Sequence, residues 1–308
     1  MKVRFSSAVR TALRRRQAVV ALESSVVAQG LPKPHNLQVA IACEQAVSDA
    51  GAVPATIAVV EGVVTVGLSR SELELLASGA KALRKLGERD LAVAMAEGAS
   101  GGTTVSGTLA VAAHVGIRVF ATGGLGGVHR GWAQSLDVSQ DLSALSRHRV
   151  AVVCAGMKTV LDVPATMEWL ETLGVPVVGW GTSELPGFYC SSTEIGLESS
   201  IDSAKDAARI CHARYRVLRQ DGAVVFVVPP PARWALSEAR VERALRGALR
   251  KAKAHRVTGK GVTPFLLREL VERTQGASLA VNRALLIQNA SRAGQLAVEL
   301  GRAPWKGR

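Results

Sequence analysis

Glu23 and Lys158 are the residues of this chain whose type and setting could carry out bond chemistry. Glu23 follows directly on the apolar run Ala18–Leu22, and Lys158 follows Cys154-Ala-Gly-Met and precedes Asp162. A carboxyl at the end of a buried strand is one way to build a general acid or base. The same spacing also suits a solvated loop carboxylate or an ion pair. Lysine serves Schiff-base catalysis when its surroundings favour the free amine, although most lysines are solvated surface residues. Between the two lies the most unusual stretch, Ala121-Thr-Gly-Gly-Leu-Gly-Gly-Val-His-Arg130. Its glycines allow the backbone to fold close to a ligand and turn amide N–H groups toward an anion. Thr122, His129 and Arg130 add hydroxyl, imidazole and guanidinium donors suited to a phosphate; a plain glycine turn is the simpler alternative. Asp137 and Asp141 flank Ser139 just beyond. Ser139 or Asp141 can cap a helix running toward Leu145. A lone carboxylate with waters and phosphate can also hold magnesium or manganese. Lys85, in Arg84-Lys85-Leu86, reads on its own as surface charge.

These side chains depend on the elements that present them. Strands are predicted over Ala18–Leu22, Ala55–Val60, Val63–Val66, Arg118–Ala121, Ala151–Cys154, Val175–Gly179 and Ala223–Val228, with Glu61-Gly62 turning the second into the third. Helices are predicted over Pro34–Ala50, from Ser69 with Glu72 completing a capping box, over Val105–Val115, Ala165–Leu173 and Asp202–Arg219, and over 237–255, 264–274 and 279–300. The run Asp90–Ala96 reads as a further strand or buried segment. Strands alternating with helices predict a single layered α/β/α domain with a mixed, largely parallel sheet, residues 1–16 forming a basic N-terminal extension or helix. Ligands of such folds sit at the carboxyl ends of the strands, where Glu23, Thr122 to Arg130 and Lys158 all fall.

A chain of 308 residues with 48% hydrophobic content fits one large domain. Its net charge of +13 raises nucleic-acid binding as a possibility. The charge is not interleaved with aromatics, and 5 Phe, 5 Trp and 2 Tyr make a poor base-stacking platform. The basic helix carrying Arg240, Arg243, Arg246, Arg250 and Lys253 reads as a solvated face opposite Val241, Leu245, Leu249 and Ala252. Cys43, Cys154, Cys190 and Cys211 are too scattered for a disulfide framework or structural zinc, and predict reduced, buried thiols. No run approaches the roughly 18 apolar residues of a membrane span, and Glu23 cuts short any leader-like segment. A cytoplasmic protein with no nucleic-acid or membrane partner is expected. Gly124-Leu-Gly126-Gly-Val-His129 lacks the third glycine of a dinucleotide fingerprint, which weakens a Rossmann-type oxidoreductase.

Read together, these stretches resemble the pseudouridine-5′-phosphate glycosidase family over about residues 15–300. The segments that carry the resemblance are Val20-Ala-Leu-Glu-Ser-Ser, Gly51-Ala-Val-Pro-Ala-Thr-Ile-Ala, Val64-Thr-Val-Gly-Leu-Ser, Ala121 to Gly131, Leu136-Asp-Val-Ser-Gln-Asp-Leu, Cys154-Ala-Gly-Met-Lys-Thr-Val-Leu-Asp, Leu170-Glu-Thr-Leu-Gly-Val-Pro-Val and Thr263-Pro-Phe-Leu-Leu. The resemblance implies that Lys158 is a nucleophile forming an iminium at C1′ of ribose 5-phosphate. It makes Glu23 the acid/base and Asp137 the ligand of a manganese or other divalent ion. Lys85, Thr122, His129, Arg130 and Ser139 would hold the phosphate end, with Asp141 near the sugar and Gln140 in the same binding set. The backbone around Val105, with Asn282, would face the base, and Thr104 belongs to the same substrate-binding set. A homotrimer is implied as well.

The chain departs from that family at several points. Gln29 stands where a histidine is usual, Val228-Pro-Pro-Pro-Ala232 replaces an Asn-Pro-[Ile/Val]-Pro-Glu stretch, Cys190-Ser-Ser-Thr-Glu lacks an arginine, and Trp132 and Trp180 add bulk. Retained ribose 5-phosphate chemistry with altered loops tilts the expectation toward a C-glycosynthase that attaches ribose 5-phosphate to an aromatic acceptor. The alternative is pseudouridine-5′-phosphate glycosidase activity in pyrimidine breakdown, and the rival from another class is a non-catalytic basic nucleotide- or RNA-binding protein.

Overall fold

The computed structural model describes residues 3–80, 82–255, 257 and 261–302; Met1, Lys2 and the basic C-terminal tip lie outside the described residues. Eleven strands form one sheet: β1 Val3–Phe5, β2 Val19–Leu22, β3 Val53–Val60, β4 Val63–Val66, β5 Arg84–Leu86, β6 Gly101–Thr103, β7 Val119–Ala121, β8 Ala151–Cys154, β9 Val177–Trp180, β10 Ser200–Ile201 and β11 Val224–Val227. The central strands β2, β7, β8 and β11 are buried along their whole length. Their unbroken Val/Ala/Phe runs are what helices on both faces of a parallel sheet demand. The main path runs β1-β4-β3-β2-β7-β8-β11-β9-β10, antiparallel only between β3 and β4. Glu61 (φ 49°) and Gly62 (φ 73°) make that two-residue turn, the geometry that matches the twist of paired strands.

One irregularity shapes the site. The first half of β3 pairs in parallel with β2, while Ala58 and Val59 pair antiparallel with Gly102 and Gly101 of β6 on the same edge. β2 and β6 therefore run toward each other and meet end to end. Ser24 N–H donates to the Thr103 carbonyl at 3.3 Å, and Thr103 N–H to Ser24 Oγ at 3.0 Å. The hydroxyls of Ser24 and Thr103 both donate to the Ile57 carbonyl, at 2.6 and 2.7 Å, replacing the ladder where it breaks. Gly102 permits this approach, since a Cβ there would stand 2.7 Å from the Ser24 carbonyl oxygen. β5 then joins β6 in parallel, Lys85 opposite Gly102.

Twelve α-helices flank the sheet among the described residues: α1 Ser7–Arg14, α2 His35–Asp49, α3 Arg70–Ala77, α4 Glu88–Ala96, α5 Val105–His114, α6 Trp132–Ser135, α7 Gln140–Arg147, α8 Val163–Thr172, α9 Ala204–His212, α10 Glu238–Ala254, α11 Val262–Arg273 and α12 Ala277–Arg302. The longest, α12, packs on β2, β7, β8 and α2. The Ser69–Glu72 capping box forms as predicted. The basic face of α10 is exposed, and Val241, Leu245 and Ala252 are buried beneath it.

One expectation is corrected. The run 90–96 is helical: Asp90 accepts the Gly87 N–H at 2.9 Å, and Leu91 and Ala94 bury one face while Val93 stays exposed. That cap overrides the run's apparent continuity. In the basic N-terminal stretch, read as an extension or helix, α1 is helical and capped by Ser6, and the short strand β1 before it pairs with β4. The three-residue strands β5 and β6, too short to read by period, were not predicted.

Candidate active site

Glu23 is the first residue past β2, at the seam with β6, and is only 8% exposed. Thr122, the first residue past the neighbouring strand β7, donates its hydroxyl to Glu23 Oε1, and Ser25 Oγ donates to Oε2 at 2.6 Å. Both carboxylate oxygens are thus oriented by hydroxyls. Lys158 follows β8, the next strand over. Its N–H donates to the Leu125 carbonyl and Leu125 N–H donates to the Gly156 carbonyl, each at 3.0 Å, which clasps the lysine loop to the glycine loop. Gly156 needs its lack of a side chain: φ is +89° and a Cβ would lie 2.5 Å from the Pro186 carbonyl oxygen. Glu23, Lys158, Lys85 from β5 and Asn282 from α12 wall one open cleft of about 540 Å³.

The glycine loop packs against its own protein over most of its length. Residues 121–128 are buried. Leu125 N–H goes to Gly156 O, Gly126 N–H to Asp141 Oδ2 (2.9 Å), Val128 N–H to Thr166 Oγ1 (3.0 Å) and His129 N–H to Asp137 O (3.0 Å). A Cβ on Gly126 would stand 2.3 Å from Ser139 Oγ, and one on Gly127 2.4 Å from Thr166 Cγ2. The glycines let the loop pack tightly against its own protein. Only Gly123 and Gly124 reach the cleft wall.

The other predicted residues divide into two groups. His129 is half-buried, and its pKa is pushed below the ordinary imidazole value by burial first, with the cations Lys85 and Lys158 adding and Asp137 opposing. Its ring is uncharged at neutral pH and feels both lysines. Asp137 is 43% exposed on its side chain, with Oδ2 3.9 Å from His129 Nδ1. No group of three or more His, Cys, Asp or Glu side chains is gathered for a metal among the described residues. A single open carboxylate fits a hard cation that keeps most of its waters.

Asp141, by contrast, is buried and accepts the N–H groups of Ser106 (3.0 Å) and Gly126 (2.9 Å), so it pins the glycine loop to the start of α5. Ser139 caps α7, accepting Asp141 N–H at 3.2 Å. Thr104 caps α5, Val105 is buried, and Gln140 accepts Arg89 N–H at 3.4 Å. Arg130 is exposed and does not line the cleft; it donates to the Leu161 carbonyl at 3.2 Å and to Glu242 of α10 at 3.0 Å. Ser25, Phe188 and Leu267 line the cleft and were missed. Ser25 stood inside a quoted motif next to Glu23, whereas Phe188 and Leu267 carry no sequence signal.

Comparison with known proteins identifies the family. The profile of the family described as "Indigoidine synthase A like protein" matches residues 8–299. A pseudouridine-5′-phosphate glycosidase of Myxococcus xanthus is 54% identical over 98% of this chain and 100% of its own length. One of Chloroflexus aurantiacus is 49% identical over 97% and 98%. Among solved structures, the prealnumycin C-glycosynthase AlnA, in complex with ribulose 5-phosphate, superposes with a TM-score of 0.89 at 37% identity over 98% of both chains. An indigoidine synthase A-like protein of Thermotoga maritima gives 0.86 at 35% identity over 92% and 94%. With relatives of this identity along its whole length and the reactive pair of the resemblance in one cleft, the chain belongs to the pseudouridine-5′-phosphate glycosidase family and is an enzyme of that kind.

Proposed function

We propose that the enzyme cleaves the carbon–carbon glycosidic bond of pseudouridine 5′-phosphate, giving uracil and ribose 5-phosphate, and that Lys158 is the covalent nucleophile. The observation carrying this reading is the convergence of Glu23, Lys158 and Lys85 on one cleft. The relatives at 54% and 49% identity are named for cleavage, so the balance moves from the synthase expected from the altered loops to the glycosidase.

A C–C glycosidic bond has no leaving oxygen or nitrogen to protonate. Glu23 donates a proton to O4′ as the C1′–O4′ bond breaks, with ring electrons of the base filling the gap at C1′. The Lys158 amine adds to C1′ and loses a proton. The ring carbon C5 takes a proton, and the C1′–C5 bond breaks with its electron pair returning to the base while the nitrogen lone pair forms the C1′=N iminium. Water adds to the iminium and releases ribose 5-phosphate and the free amine. His129 and Lys85 suit the phosphate end. Asp137 would hold a manganese ion, which would supply positive charge near that phosphate. The proposal extends to a cytoplasmic homotrimer.

Borohydride reduction in the presence of ribose 5-phosphate, followed by peptide mapping, tests the mechanism. A ribitol phosphate adduct on Lys158 is expected, and Lys158→Ala should lose on the order of 10⁴-fold or more in turnover. Adducts elsewhere, or unchanged turnover with salt-sensitive RNA binding, would favour the non-catalytic reading. The likeness to AlnA supports a second reading, C-ribosylation of another aromatic; failure to release uracil from pseudouridine 5′-phosphate, with Lys158 still trapped, would select it.

A further inference from the structure

The chain just past Glu23 forms a π-helical turn, Val26–Gly30. Such turns recur where a backbone is adjusted to present a side chain. This one carries Gln29 into the wall of the cleft, beside Val26. The carboxamide has a defined orientation: Nε2 donates to the Leu83 carbonyl at 3.3 Å, which can only accept, so the oxygen is held on the opposite side. That oxygen is shielded from solvent and has no hydrogen-bond partner among the described residues. A buried acceptor in this state carries a free-energy cost that a donor on an occupant of the cleft removes.

The surroundings indicate which part of the occupant supplies the donor. Lys85 and Lys158 line the same cleft and both act on His129, the residue that the proposed function sets with Lys85 at the phosphate end. Beyond Ser25, which opens it, the π turn meets apolar lining: Val26 belongs to the turn, α11 packs against it, and Leu267 of α11 and Phe188 line the same cleft. Apolar walls with one fixed polar group suit the faces and one edge of a flat ring.

We infer that Gln29 reads the aglycone, its carboxamide oxygen accepting a ring N–H, so that the ring leaving C1′ is a nitrogen heterocycle with a free N–H. This deepens the reading under Proposed function and rests on it. A purely carbocyclic aromatic acceptor leaves Gln29 unpaired and is selected against, because a site built to pair a polar group discriminates strongly against a ligand lacking it.

The test runs the reaction in the synthetic direction with ribose 5-phosphate and three acceptors: uracil, 1-methyluracil and 3-methyluracil. The wild type should reject at least one methylated ring. Gln29→Met, similar in volume but unable to accept, should lower kcat/KM for uracil about 10- to 100-fold and narrow the preference for uracil over that methylated ring. Borohydride capture of ribose 5-phosphate on Lys158 should match wild type in extent. Equal use of all three acceptors by the wild type overturns the inference, as does a preference that survives in Gln29→Met, or a variant whose defect lies in KM for ribose 5-phosphate, which would assign Gln29 to a sugar hydroxyl. Should Gln29→Met not fold, Gln29→Leu takes its place and the wild-type panel still decides. Absence of Lys158 capture in the wild type would instead overturn the underlying reading.

Discussion

At the scale of single residues, Glu23 owes its place to two hydroxyls. Thr122 holds one oxygen and Ser25 the other, so the carboxyl cannot swing away from the amine side of the cleft without losing both. Glu23→Gln keeps the shape and removes the proton carrier. Turnover should fall about 10²- to 10⁴-fold, with a denaturation midpoint close to wild type; a variant that stays active in steady-state uracil release would remove Glu23 from the chemistry. The positions of Glu23 and Lys158 past two apolar strands were legible in the sequence, while their proposed roles came from the family resemblance. The direction of a hydroxyl leaves no such mark. The resemblance implied a place at the phosphate for Thr122, and the contact its hydroxyl makes with Glu23 left no sign in the sequence. Asp141, expected near the sugar, spends both oxygens on backbone N–H groups.

At the scale of elements, the glycine loop, the lysine loop and the start of α5 form one clasped unit, with Asp141 as its pin. Asp141→Ala strands two buried N–H donors, a loss of about 2–4 kcal/mol. Urea unfolding should show that loss, and Asp141→Asn, which keeps one acceptor, should recover part of it. An unchanged midpoint would show that the loop holds without the pin. The strands of four or more residues were legible because burial on both faces imposes continuous apolar runs. β5 and β6 were not: three residues establish no period, and their pairing depends on the distant strand β3. Lys85 reached the site list through family likeness alone, and it is the register Lys85 opposite Gly102 that gives it a structural reason. Asp90–Ala96 misled for a related cause, since its helix is set by a cap at Gly87 and Asp90 and not by its apolar content.

At the scale of the whole molecule, all four cysteines are free and buried. Burial pushes Cys43, Cys154 and Cys211 up to about 12 and Cys190 up to about 11. Native protein at pH 8 should give almost no fast reaction with Ellman's reagent, and unfolded protein four equivalents; a rapid native thiol would contradict the packing around these side chains. Because these folded-state values lie above the ordinary thiol value of about 8.5, their contribution to stability is intact below that pH. It drains away as pH rises toward 12, and thermal unfolding should move down in that alkaline window. Light scattering checks the proposed trimer, which predicts three chain masses. No helix among the described residues is long and apolar enough to cross a membrane. The meeting of β2 with β6 also bears on how such an enzyme can change partners over time. Glu23 and Lys158 follow strands β2 and β8, each paired on both sides within the sheet, so an exchange there disturbs neighbours on two sides. Gln29, Leu267 and Asn282 hang from helical turns laid across that framework and can be traded one at a time. On the proposed function, the ribosyl half of the reaction rests on a fixed foundation, while the choice of ring falls to a replaceable roof.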